Sequence, residues 1–151
     1  MKKMLDSSYE GKALKPFTSR IEREDIRQFC RALGDENPVH HNRDLAAGKG
    51  YKDVPAPLTF CTTLLFKGCP GLWQILQDIG LDINRMLHTK EEYEFFGVVY
   101  PGDHLQSSLS IDLVHSTATT DIVSIRNSVT RDGEQVVIVK TTLISPRRPI
   151  A

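Results

Sequence analysis

Pro57-Leu58-Thr59-Phe60-Cys61-Thr62-Thr63-Leu64-Leu65-Phe66 contains no charged side chain. Leu58, Cys61, Thr62 and Leu65 recur at helical spacing, as in a helix buried on most sides. Pro57 suits the first turn of such a helix, where its missing N–H is no loss. Residues 67–71 break the pattern, and Leu72, Ile75, Leu76 and Ile79 resume it as a second, amphipathic stretch. A helix that is apolar nearly all round needs a cover, and the C-terminal half supplies one. From about Arg85 the period changes from 3.6 to 2: Leu105, Leu109, Ile111 and Leu113 alternate with polar residues, and 121–130 and 135–144 do so less cleanly. Arg131-Asp132-Gly133-Glu134 is hairpin chemistry, and Pro101-Gly102-Asp103 is a second strand-linking turn. The result is a meander of about four strands, to which the N-terminal half adds one strand or loop near Phe17. The expected class is α+β, a strongly bent antiparallel sheet wrapped around a long central α-helix.

Upstream lies Ala32-Leu33-Gly34-Asp35-Glu36-Asn37-Pro38-Val39-His40-His41-Asn42. Ser19-Arg20-Ile21-Glu22 has capping-box spacing for a helix whose buried face is Ile26, Phe29, Cys30 and Leu33. Gly34 closes that helix in the left-handed conformation, so Asp35 is the first residue past its end. Asn37-Pro38 excludes helical geometry and bends the chain so that His40 faces back toward Asp35. A carboxylate and an imidazole then flank a single reacting atom. Ordinary turn chemistry accounts for the same residue types, because Asp and Asn side chains bond their own backbone two residues on. A metal site built from Asp35, His40, His41 and Asp44 is a third reading, weakened by the lack of any further zinc-like spacing. Residues 42–50 form at most a helical turn, and the prolines of Tyr51-Lys52-Asp53-Val54-Pro55-Ala56-Pro57 exclude regular structure.

The chain of 151 residues carries 19 basic and 19 acidic side chains, for a formal net charge of zero. That length fits one domain spanning residues 1–151 and needs no second core. Without a global field, neither nucleic acid nor an anionic membrane is an expected partner. The N-terminal Met1-Lys2-Lys3-Met4 has no apolar run behind it, and no run of eighteen apolar residues occurs, so the expected location is the cytoplasm. Cys30, Cys61 and Cys69 are odd in number, and the first two fall at apolar helical positions, which argues against a disulfide framework.

Gly34-Asp35-x-Asn37-Pro38-x-His40 resembles the signature of the hydratase 2, or MaoC-like, group of hot-dog-fold enoyl-thioester hydratases and dehydratases. Gly50-Tyr51-Lys52-Asp53-Val54-Pro55-Ala56-Pro57-Leu58-Thr59-Phe60, with Tyr100-Pro101-Gly102-Asp103, resembles the N-terminal dehydratase-type MaoC branch. That branch includes the substrate-binding subunits of mycobacterial fatty-acid dehydratases. The resemblance covers nearly the whole chain. It implies a hot-dog fold in which Asp35 and His40 activate one water for (R)-specific hydration of trans-2-enoyl thioesters of coenzyme A or acyl carrier protein, or for the reverse dehydration. It implies no cofactor and no metal. Asn37, Leu58 and Thr59 are the candidate substrate-binding residues, with the amide of Leu58 or Thr59 as oxyanion donor. In one respect the chain departs from the pattern. Hydratases of the group carry Ala-His-Gly where this sequence has Ala56-Pro57-Leu58, and Pro57 has no amide hydrogen to give.

Two other functions stay open at this point, a hot-dog acyl thioesterase and a non-catalytic subunit that houses the acyl chain of a heteromeric dehydratase. The expected assembly is a homodimer, since one hot dog leaves a sheet edge open. Leu58, Leu65 and Phe66, with Phe95 and Phe96, are the expected apolar lining for the acyl chain.

Overall fold

The computed structural model describes residues 4–147; Met1, Lys2 and Lys3 lie outside them. The strands are β1 (Phe17–Arg20), β2 (Leu87–Phe95), β3 (His104–Ser116), β4 (Thr120–Arg131) and β5 (Glu134–Pro146). They form one antiparallel sheet in the order β1-β3-β4-β5-β2. The hairpin between β4 and β5 turns on Asp132 and Gly133, both at positive φ (52° and 82°), the primed turn that matches strand twist. On β4, buried residues alternate with half-buried ones along nearly its whole length, so one face of the sheet is the core face.

The helices are α1 (Arg23–Leu33), α2 (Arg43–Gly48), α3 (Thr63–Phe66) and α4 (Leu72–Ile79). Two expectations need correcting here. The capping box of α1 is real but sits three residues later than its sequence spacing suggests. Glu22 is the N-cap and Asp25 closes the box, with the Glu22 N–H donating to Asp25 Oδ2 at 3.2 Å, while Ser19 is in β1. The long central helix is also absent as one piece. Leu58–Thr62 winds as a 3₁₀ turn with Pro57 as its N-cap, α3 adds one α-helical turn, and the axis breaks before α4. The break contains Pro70, which has no N–H to give, and Gly71 in the left-handed conformation (φ 68°); at Gly68 the chain passes so close to β1 that a Cβ would come within 2.6 Å of the Leu64 carbonyl oxygen and 2.9 Å of Ser19 Oγ.

The 58–66 segment packs on the sheet over two apolar clusters. One joins Phe60, Cys61 and Leu64 to Leu105, Val129 and Val139; the other joins Leu65, Leu72 and Leu76 to Leu109, Ile125 and Leu143. Between them runs a polar row, one residue per strand: Ser107, Asn127 and Thr141, all buried, and Glu91 on the edge strand opposite Thr141. Asn127 Nδ2 donates to Ser107 Oγ at 3.2 Å, and Thr141 Oγ1 donates to Glu91 Oε2 at 3.0 Å. Trp73 stacks on Phe66 with ring centroids 6.3 Å apart. All three cysteines are free, Cys30 and Cys61 being buried. Among the described residues no helix is long and apolar enough to cross a membrane.

Candidate active site

Gly34 ends α1 in the left-handed conformation (φ 67°), and the Asp35 amide returns to the Cys30 carbonyl at 2.9 Å. Asp35 then makes a local turn in which Oδ1 accepts from the Asn37 amide at 3.0 Å. Asn37 repeats the device by capping a short 3₁₀ turn, Pro38–His40, through Oδ1 to the Val39 amide at 3.2 Å. Ordinary turn chemistry is therefore present, and it is what shapes the loop. Its consequence is that Asp35 Oδ2 and His40 Nε2 face each other at 3.7 Å, with side chains 31% and 13% exposed.

The second ring nitrogen of His40 sets its tautomer. Nδ1 lies 2.8 Å from the Pro55 carbonyl oxygen; a carbonyl only accepts, so Nδ1 carries a proton, and the neutral tautomer then has its lone pair on Nε2. In that tautomer Nε2 and a carboxylate oxygen are both acceptors, so the 3.7 Å gap suits a donor with two hydrogens, such as water. His41 faces elsewhere: its Nε2 donates to the main-chain carbonyl of Asp35 at 2.8 Å. That bond holds the carboxylate from behind, and nothing in the sequence signalled it, because an exposed loop histidine ordinarily bonds water. Asp44 is the first-turn acid of α2, whose N-cap Asn42 accepts from its amide. Among the described residues no group of three or more His, Cys, Asp or Glu side chains is arranged to hold a metal ion.

Asp35, Asn37 and His40 line one wall of a cleft of about 730 Å³, within the usual range for small-molecule sites. Leu33, Val39, Tyr51, Leu58, Cys61 and Phe95 give it a largely apolar surface, and Thr59 lines it too. Leu33, expected on the buried face of α1, is instead exposed into this cleft. Of the expected acyl lining, Leu58 and Phe95 are in place. Leu65 belongs to the second apolar cluster and Phe66 packs against it, and neither lines the cleft. Phe96 is exposed and outside the lining.

At the start of the 58–66 segment, the Phe60 amide bonds the Pro57 carbonyl at 2.9 Å. The amides of Leu58 and Thr59 precede it, at a helix start where N–H groups lack intrahelical acceptors. Two clamps fix the surrounding loops. Arg23 makes a two-pronged bond to Asp53 (3.0 and 2.7 Å), holding the segment that ends in Pro55 against α1. Arg131 Nη1 donates to both Asp103 Oδ2 (2.6 Å) and the Val98 carbonyl (3.0 Å), fixing the wall made by 97–99. Burial, with the Glu91 carboxylate nearby, pushes the Cys61 thiol up to about 12, so it lines the cleft as an inert small hydrophobe rather than a nucleophile.

Residues 8–139 match the family described as FAS1-like, dehydratase domain region. The chain is 36% identical over 145 residues to a UPF0336 protein of Streptomyces avermitilis, covering 93% of this chain and 95% of the relative. It is 32% identical over 125 residues to UPF0336 protein ML1908 of Mycobacterium leprae (82% and 75% covered). Among solved structures it superposes on the C-terminally truncated HadBC (3R-hydroxyacyl-ACP dehydratase) complex of Mycobacterium tuberculosis with TM-score 0.77 at 29% identity, over 91% of this chain and 97% of that one. The unliganded R-hydratase PhaJ1 of Pseudomonas aeruginosa shares the fold, with TM-score 0.65 at 22% identity and coverage of 92% and 83%. The helix-wrapping sheet is therefore a hot dog, and the chain belongs to the FAS1-like dehydratase-region family, within the MaoC-like group.

Proposed function

We propose that the protein hydrates trans-2-enoyl thioesters, or dehydrates the corresponding (3R)-hydroxyacyl thioesters, with Asp35 and His40 as the catalytic pair. The observation that carries this reading is the 3.7 Å gap between Asp35 Oδ2 and His40 Nε2, with Nδ1 of the same ring committed to Pro55. In the hydration direction, one water donates a hydrogen to each group. His40 Nε2 takes a proton as the water oxygen bonds the β-carbon, and Asp35 offsets the positive charge that develops on the ring. The proton then passes to the α-carbon on the same face, giving net syn addition of water. Negative charge gathering on the thioester oxygen needs preorganised donors, a role we assign to the amide of Leu58 or Thr59, since Pro57 has no N–H to give. Asn37 keeps the loop in shape through its turn bonds, and Leu58 and Thr59 line the cleft beside the reacting atoms. The thioester carrier is coenzyme A or acyl carrier protein, the latter supported by likeness to a 3R-hydroxyacyl-ACP dehydratase complex. The unit of function is a homodimer formed through the open nine-residue edge of β2, and its location is cytoplasmic.

The test is turnover of a 2-enoyl thioester by the purified protein, followed as loss of conjugated absorbance. Asp35→Asn and His40→Ala should each lower it by about a hundredfold or more. Wild-type turnover in Asp35→Asn would overturn the assignment, and free thiol release without hydration would replace it with a thioesterase. A second reading, an acyl-binding subunit of a heteromeric dehydratase, is favoured by Ala56-Pro57-Leu58 and by the HadBC likeness. An inactive protein that acquires activity only with a second hot-dog chain would establish it.

A further inference from the structure

The inner face of β2 carries Phe95, Tyr93 and Glu91 in succession toward the interior. Phe95 lines the cleft. Tyr93 stacks on Phe95 with centroids 5.6 Å apart, its hydroxyl reaches the Thr59 carbonyl at 3.5 Å, and it packs against the apolar cluster that contains Cys61. It is the layer directly behind three cleft-lining residues. One step further in stands Glu91, 12% exposed, holding Thr141 and His88 through Oε2. Its Oε1 and the Thr62 Oγ1 are both buried with no partner at full hydrogen-bond geometry, and the Tyr93 phenol stands against both residues. Burial, then Glu91 and Cys61, push the Tyr93 phenol well above its ordinary range, as expected for a ring enclosed beside a carboxylate.

We propose that Tyr93 and Glu91 form a polar end-stop that makes this cleft selective for short acyl chains. An alkyl tail passing between the 58–66 segment and β2 stays in apolar surroundings only as far as Cys61 and Phe95. Beyond them it must displace the Tyr93 ring. It would then take the phenol away from the Glu91 carboxylate and the Thr62 hydroxyl, leaving both buried against alkyl with neither that neighbour nor water. Short tails avoid that cost.

The inference rests on the thioester reading above, so the test measures binding and not turnover. Saturated acyl-CoA esters, which have no double bond to hydrate, are titrated into the full-length protein by calorimetry as a ladder of increasing chain length. Affinity should rise roughly fourfold per methylene, the increment of one buried CH₂, and then stop or fall once the tail reaches Tyr93. In Tyr93→Leu, which opens the space of the ring, the rise should continue for the few methylenes that fill it and then stop at Glu91. An unbroken rise through the long-chain esters in the wild-type protein would overturn the end-stop and leave the thioester reading intact. A plateau that is identical in Tyr93→Leu, at preserved melting temperature, would overturn the role of these residues. Failure to bind any ester would overturn the thioester reading itself.

Discussion

Loop 34–41 and the polar row under the helix are made of the same kinds of side chain, and they differ in where their hydrogen bonds close. In the loop almost every bond is to backbone a few residues away: Asn37 N to Asp35, Val39 N to Asn37, His41 to the Asp35 carbonyl. Two atoms are left over, and both face an open cleft that water reaches. In the row the bonds join strands 20 and 50 residues apart, and the leftover atoms, Asn127 Oδ1 and Glu91 Oε1, are sealed inside. An unsatisfied atom at a wet surface costs little; a sealed one costs about 1–3 kcal/mol. Free polar atoms thus mean different things by location. In the loop they are available for chemistry, whereas in the row they divide the core and set how far an apolar ligand reaches.

The largest effect is expected at the loop. The Asp35→Asn, His40→Ala double variant should lose little more turnover than the worse single variant, about a hundredfold in all, because the pair acts as one unit. Its stability should fall by about 1–2 kcal/mol, the cost of losing the His40–Pro55 hydrogen bond at a mostly buried ring; a much larger drop in melting temperature would make the loop structural instead. Next comes the clamp. Arg131→Met leaves Asp103, only 7% exposed, without its cation. Unfolding by denaturant should report a loss of roughly 2–3 kcal/mol, the lower side of breaking a buried pair because Arg131 is partly solvated. The row should behave in the opposite sense. Ser107→Ala combined with Asn127→Leu removes both partners and the sealed Asn127 Oδ1, and should be neutral or stabilising by up to about 1 kcal/mol. Destabilisation beyond that would mean the row is held in place by bonds the apolar pair cannot replace.

The smallest effect is expected at Asp25. Lys67 at 2.6 Å, aided by the Glu22 amide, holds its carboxyl below the usual range against the opposing pull of burial. A lowered folded-state value means stability that is present above the ordinary carboxylate range and lost as pH falls through the folded value. Asp25→Asn should therefore cost about 0.5–1 kcal/mol at neutral pH, since Lys67 is mostly exposed. The cost should vanish in acid, as denaturation curves at both pH values would report.

Legibility in the sequence follows the same division. The fold and the Asp35–His40 loop were readable because their signals are local: Gly34 at a helix end, Pro38 after Asn37, Asp132-Gly133 between alternating strands. What was hidden depends on register or on subtle winding. Ser107, Asn127, Thr141 and Glu91 come from four strands and become a row only once those strands are paired. Leu58–Thr62 shows helical spacing whether it winds as 3₁₀ or α, so Leu65 and Phe66 were placed in the acyl lining although they pack in the second cluster. Ser19 satisfied the capping-box spacing as well as Glu22 does, and only the extent of β1 decides between them.

Arg131 stands one residue before the Asp132-Gly133 turn, yet it bonds residues 28 and 33 positions back along the chain. The opposite wall of the cleft is tied by contacts of 6 and 15 residues, His41 to Asp35 and His40 to Pro55. Short-range contacts close early in folding and long-range ones late. The carboxylate–imidazole wall thus depends only on its own neighbourhood, whereas the wall at 97–99 depends on the pairing that brings Arg131 beside it.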